Sequence, residues 1–252
     1  RVTPEYFRQF FVNGHPGNRA EVIRQQHSND FIFHPASKPS SLREIKIPYR
    51  VDTLTLYAVL ADTVKRYIRP VSIAVPPNTN TIFSVHVDSL YSVMMQDSDN
   101  FIAEQLLLMC ANAISDTMKT EIAINYMKKH HLHDLPDEPV WVDGSGLSRY
   151  NLFTPRSIVA LWHKIYSKVP QERLFPLLAT GGVSGTIRRW YAADKPYVFG
   201  KTGTLSNNHS LSGFLVTRKG KVLIFSFMNS NFTESTNAIR TNMQNVLRDI
   251  YE

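Results

Sequence analysis

The chain has 252 residues, enough for one large domain or two small ones, and its single cysteine excludes a disulfide-stapled scaffold. Hydrophobic residues at 43% and charged residues at 19% can fill a core, which excludes wholesale disorder. The net charge of +7 is scattered along the chain. Its densest runs, Lys128-Lys129-His130-His131 and Arg188-Arg189, are too short for a phosphate-tracking stripe, so no nucleic-acid partner is expected.

In chain order, residues 4–11 predict a short helix, residues 13–18 a turn cluster and residues 31–34 a strand. A Pro/Ser linker follows at 35–41, then apolar residues at helical spacing over 53–65 and short extended runs at 71–75 and 81–87. Helices are predicted at 100–114 and 120–129, and a polar loop leads into the strand-like run 139–142. Thr154 caps and Pro155 opens a helix over 156–166. Strands at 211–217 and 221–227 flank the turn residues Arg218-Lys219-Gly220, and residues 235–251 form an amphipathic helix. Helices before and after a hairpin predict an α/β (α+β) protein, an antiparallel sheet covered by helices in layers. Cys110, inside an apolar helical stretch, is expected to be a buried, inert thiol. No segment has the length of a membrane span and no signal peptide is visible; the start at Arg1 reads as a processed product or a fragment.

Three polar segments interrupt this pattern: Ser98-Asp99-Asn100 at a helix start, Asp143-Gly144-Ser145-Gly146-Leu147-Ser148-Arg149 after the strand-like run, and Lys201-Thr202-Gly203-Thr204 leading into the hairpin. Serine, asparagine and lysine brought together can pass a proton and orient an acyl group, because a lysine in a dry cleft loses part of its affinity for the proton. Gly203 lets a ligand lie close to the strand edge, where the Thr204 N–H can face a developing oxyanion. Each segment alone is an ordinary cap or turn, but their order and setting favour an acyl-transfer site. His130, His131 and His133 beside Asp134, Asp137 and Glu138 fit a solvated loop better than a metal site, and no cofactor is called for. Trp141, Trp162 and Trp190 read as core or rim residues, and the glycine fingerprints of nucleotide enzymes are absent.

These segments resemble the penicillin-recognising serine D-alanyl-D-alanine carboxypeptidases and endopeptidases of class C, peptidase family S13, whose motif set is a known association. Ser98-Asp99-Asn100 with its helix is similar to the family's second motif, and residues 143–151 with Phe153-Thr154-Pro155 are similar to a segment characteristic of the family. Lys201-Thr202-Gly203-Thr204-Leu205 with Ser210-Leu211-Ser212-Gly213-Phe214 resembles the third motif and its strand, and Gly185-Thr186-Ile187-Arg188 the stretch before it. The resemblance implies a serine β-lactamase/DD-peptidase-like fold, incomplete at the N-terminus. It makes residues 1–85 the end of the family's inserted region and 86–252 the C-terminal part of the penicillin-binding, transpeptidase-like domain.

The resemblance also implies roles. Ser98 would relay a proton to the leaving amine, Asn100 would hold the substrate carbonyl, and Lys201 would support the serine network. Thr202 and Thr204, beside Gly203, would bind the terminal carboxylate of D-Ala-D-Ala, with the Thr204 N–H as half of the oxyanion hole. Asp143, Ser145, Ser148 and Arg149 are read as supports of the cleft rather than direct contacts. The family's nucleophile sits in a Ser-x-x-Lys motif, and no serine of this chain has lysine three positions later. The implied partners are therefore peptidoglycan stem peptides, β-lactams as inhibitors and a missing N-terminal segment of the same protein, in the periplasm or at the cell surface. A non-catalytic peptidoglycan-binding relative and a β-lactamase are the alternatives.

Overall fold

A computed structural model describes residues 1–38, 44–80 and 83–252, and the chain divides into two compact units, Arg1–Thr81 and Ile82–Glu252. In the first unit the predicted N-terminal helix is a 3-10 helix, Glu5–Phe10, running directly into strand β1, Phe11–Asn13. With β2, Glu21–Arg24, and β3, Phe31–His34, it makes a sheet of order β1-β3-β2, with β1 parallel and β2 antiparallel to β3. Phe7 and Phe31 are buried and meet edge to face. Helix α1, Thr53–Val64, starts where the Asp52 carboxylate accepts from the Thr55 N–H at 2.7 Å, and Asp62 ties it back by accepting from the Tyr6 N–H at 2.9 Å.

The extended runs expected after α1 need correction. Residues 71–75 form no strand, and Val71, Ile73 and Val75 are 63%, 73% and 79% exposed. β-branched side chains favour a pleated surface only when a neighbouring strand supplies one, and this segment has no ladder. Of the run 81–87, residues 81–82 lie outside the described residues, 83–86 are not strand, and Val87 opens helix α2, Val87–Ser92. Residues 39–41 of the linker also lie outside the described part.

The second unit is built on a four-stranded antiparallel sheet, β4 (Ala179–Thr180), β5 (Val198–Leu205), β6 (Asn208–Val216) and β7 (Val222–Ser230), in that order. The expected layers are present. Alternate residues of each strand point to opposite faces, so Val198, Leu211 and Leu215 pack with Met243 and Leu247 of α7, Thr236–Tyr251. Phe199 and Phe214 face the other way, onto Trp162 of α5, Pro155–Lys168, and onto Leu174 and Phe175 of α6, Gln171–Leu177. Helix α3, Asn100–Ser115, packs on α4, Thr120–His130, through Leu107, Ala111, Ala123 and Ile124.

Three readings change here. The run 139–142 is reduced to a single bridge between Val140 and Leu152. Cys110 is exposed, because α3 buries only the stripe of Leu107 and Ala111 against α4 and Cys110 lies outside it. The Lys201 segment does not merely lead into a hairpin but is itself strand β5, paired along its length with β6. Two glycines permit that pairing: Gly200 lies opposite Gly213, and a Cβ on Gly200 would sit 2.4 Å from the Ser212 carbonyl oxygen.

Candidate active site

Ser98 stands at a joint. The chain leaves α2 through a π-helical turn, Val93–Asp97, and Ser98 then takes the left-handed conformation (φ 60, ψ 50) before Asp99 caps α3 by accepting from the Ile102 N–H at 2.8 Å. A non-glycine residue in that conformation is costly and tends to persist where the surrounding structure demands it. Here it accompanies a short contact: Lys201 Nζ donates to Ser98 Oγ at 2.5 Å and to the Thr202 carbonyl at 2.7 Å. Lys201 is half-buried, and loss of water around its ammonium lowers its pKa to about 8. About a tenth of the lysine is then neutral at pH 7, so the pair can accept and return a proton at little cost.

The geometry of β5 exposes a binding edge. Val198 O accepts from Gly181 N on the β4 side, whereas Tyr197 O accepts from Val216 N on the β6 side. Successive backbone groups alternate, so those of Thr202 and Thr204 also point to the β4 side. β4 pairs only with Phe199 and Gly200, and beyond Gly200 this edge carries no strand among the described residues. An extended peptide can add there by backbone hydrogen bonds. Side chains alternate as well: Lys201 shares a face with Phe199, and Thr202 and Thr204 share the α7 face with Val198. Thr202 is buried and donates to Thr186 Oγ1 at 2.8 Å, and Thr204 Oγ1 lies 2.8 Å from His209 Nδ1.

The loop from Asp143 is laid against α3. Glu104 accepts from the N–H groups of Gly144 and Ser145 at 2.8 and 2.9 Å, and a Cβ on Gly144 would come within 2.9 Å of the Ala103 carbonyl oxygen. Asp143 accepts from Gly146 N at 2.7 Å, Ser148 N at 2.9 Å and Asn151 Nδ2 at 3.0 Å. Burial raises its carboxyl pKa, but these hydrogen bonds outweigh it and hold the group below the usual carboxylate range. Ser145 and Ser148 accept from Leu147 N and Tyr150 N, each at 3.2 Å. Arg149 donates to the Ser206 carbonyl at 3.3 Å, linking the loop to the β5–β6 turn. Asn100 is exposed on the first turn of α3. The carboxylates of the histidine-rich loop are committed to cations: Asp134 to Lys164, Asp137 to Arg156 and Glu138 to Lys128.

Ser98 and Lys201 are thus brought together from residues far apart in sequence, whereas Glu104, Thr186 and His209 are site neighbours that were not singled out as site residues. Their signals were local. Glu104 follows Asn100 by one helical turn, and the two-residue turn Ser206-Asn207 sets Thr204 opposite His209.

Residues 80–250 match the model of the D-Ala-D-Ala carboxypeptidase 3 (S13) family. The chain belongs to this family. D-alanyl-D-alanine carboxypeptidase DacB of Haemophilus influenzae is 28% identical over 142 residues, 48% of this chain and 30% of that protein. Penicillin-sensitive carboxypeptidase A of Dictyostelium discoideum is 34% identical over 79 residues, 30% of this chain and 15% of that protein. The crystal structure of penicillin binding protein 4 from Haemophilus influenzae superposes with a TM-score of 0.60 at 19% identity, covering 96% of this chain and 59% of that one. At that identity the likeness shows the fold. The S13 chain described here therefore covers only part of the length of these relatives, and it contains no Ser-x-x-Lys.

His209 gives this S13 chain a distinct acid response. It is 2% exposed, and burial, followed by the nearby charge of Arg240, lowers its pKa from 6.5 to about 4. The unfolded imidazole binds its proton first, so the stability that comes from keeping His209 neutral is fully present above pH 6.5. It is lost as the pH falls towards 4, by about 3 kcal/mol. Urea unfolding between pH 7 and pH 4 should show that loss, and His209→Phe should flatten it; an equally steep profile in the variant would assign the acid response to other groups.

Proposed function

We propose that this chain recognises peptidoglycan stem peptides ending in D-Ala-D-Ala, binding them along the open edge of β5 without cleaving them by itself. The observation that carries this reading is the Ser98–Lys201 pair beside a strand edge left unpaired among the described residues, in a family member with no Ser-x-x-Lys. In this reading the Thr204 hydroxyl, with the backbone edge at Thr202 and Gly203, receives the terminal carboxylate, Asn100 holds the peptide carbonyl, and Ser98 with Lys201 forms the proton-relaying half of an acyl-transfer site. Asp143, Ser145, Ser148 and Arg149 hold the cleft in shape. Residues 1–85 are the end of the family's inserted region, and 86–252 the C-terminal part of the penicillin-binding domain.

Joined to a segment bearing Ser-x-x-Lys, the same half-site would belong to a serine-type D-Ala-D-Ala carboxypeptidase or endopeptidase working through an acyl-enzyme, with β-lactams as acylating inhibitors. The substrate then places the protein in the periplasm or at the cell surface; among the described residues no helix is long and apolar enough to cross a membrane. Intact-mass spectrometry of this chain with benzylpenicillin, alongside calorimetric titration with diacetyl-Lys-D-Ala-D-Ala, tests the reading. The expected result is peptide binding with no covalent adduct. An adduct on this chain would reveal a nucleophile of its own, and absence of binding would sink the recognition role.

A further inference from the structure

We infer that His209 is a positioning residue that makes the Thr204 hydroxyl an obligate hydrogen-bond donor towards the open edge of β5, so that the site selects ligands with a free terminal carboxylate. The inference rests on the reading of Thr204 as a carboxylate contact. Thr204 is exposed and His209 is buried, on opposite strands in direct register, with Oγ1 and Nδ1 at 2.8 Å. The His209 backbone is held from the β7 side: it pairs with Asn229, whose Nδ2 donates to the His209 carbonyl at 3.4 Å and to Met243 Sδ of α7 at 3.2 Å.

A threonine hydroxyl has one hydrogen and two lone pairs. If the hydroxyl donated to Nδ1, it would present only lone pairs to an arriving carboxylate, and the two would repel. If Nδ1 carries the proton and donates to Oγ1, the one hydroxyl hydrogen is released towards the edge, where a carboxylate oxygen can accept it. A charge-assisted bond of that kind is stronger than a neutral one and is lost when the carboxylate is replaced by a neutral amide. Burial and the nearby Arg240 keep the ring neutral, so a single ring hydrogen, on Nδ1 in this arrangement, is available to Thr204. Asn at position 209 can place an amide N–H close to where Nδ1–H stands, whereas Phe fills the space and donates nothing.

Two measurements test the inference, and they separate it from the reading beneath it. Nitrogen-15 NMR of His209 in the unliganded chain at pH 7 should show Nδ1 protonated and Nε2 bare; the opposite tautomer overturns the inference whatever any peptide does. Titration with diacetyl-Lys-D-Ala-D-Ala and with its C-terminal carboxamide should show the acid favoured by about tenfold, that preference reduced in His209→Phe, where the hydroxyl hydrogen is no longer aimed at the edge, and kept in full in His209→Asn. An equal loss of affinity for both peptides in His209→Phe, or an unchanged preference, overturns it. If the wild-type chain binds neither peptide, the recognition reading fails and the role assigned to His209 falls with it.

Discussion

Lys201→Met should make the chain more stable at pH 7 while disabling the site. The ammonium of Lys201 is held where loss of water costs it affinity for its proton, bringing its pKa to about 8 from 10.5. In the pH range between those values the unfolded lysine stays protonated while the folded one does not, so native stability rises with pH through the window and the cost of the charge is felt in full below it. Removing the charge but keeping an apolar side chain of similar length should therefore add about 2 kcal/mol at pH 7, after allowance for the lost hydrogen bonds to Ser98 and the Thr202 carbonyl. For a unit of this size that is roughly 4–8 °C in Tm, and calorimetry should show the advantage shrinking as the pH approaches 10.5. In a protein that also carries Ser-x-x-Lys, the same variant should lower the rate of acylation by benzylpenicillin by about a hundredfold or more, the scale of a lost proton-transfer partner. A variant less stable than the parent at pH 7 would mean that the two hydrogen bonds outweigh the buried charge, and unchanged acylation would remove Lys201 from the mechanism.

The largest loss of stability is expected from Phe214→Ala. Phe214 is fully buried at the centre of the sheet face that meets α5 and α6, with ring centroids 5.4 Å from Trp162 and 5.2 Å from both Tyr166 and Phe175. Truncation would empty a space that three aromatic rings and the backbone of β5 cannot all collapse into, at a cost of about 3–5 kcal/mol. Phe214 also pairs with Phe199, two residues before Lys201 on the same face, so repacking there should loosen the Lys201–Ser98 contact. Phe214→Leu keeps most of the volume and should cost less than half as much. Denaturant midpoints for the two variants decide the matter; a loss below about 1 kcal/mol for Phe214→Ala would show that the layers pack more loosely than this ring cluster implies.

Much of the second unit was legible because its signals are short-range. Helices α3, α4, α5 and α7 announce themselves by apolar spacing and by caps such as Thr154 with Pro155, both of which act within one or two turns. α6 has no counterpart among the predicted elements; it is a seven-residue helix with Pro170 at the N-cap and Pro176 in its last turn. β5 was hidden too. Lys201, Gly203 and the flanking Gly200 have little preference for a strand, and only the ladder to β6 makes one of them.

The amino-acid order by itself determined the family, the set of polar segments and the absence of Ser-x-x-Lys, since these depend on residue type and short spacing alone. It also set which strand faces are apolar, through alternation. The tertiary structure decided the rest: that Ser98 and Lys201 meet, that Glu104 holds the Gly144 loop, that Thr202 finds Thr186, and that among the described residues no strand covers the β4 side of β5 beyond Gly200. It also decided that Cys110 is exposed and that residues 71–75 are not a strand. Those outcomes depend on what lies across a space from a residue rather than beside it in the chain, and desolvation, which lowers the pKa of Lys201 and of His209, exists only once the layers have closed.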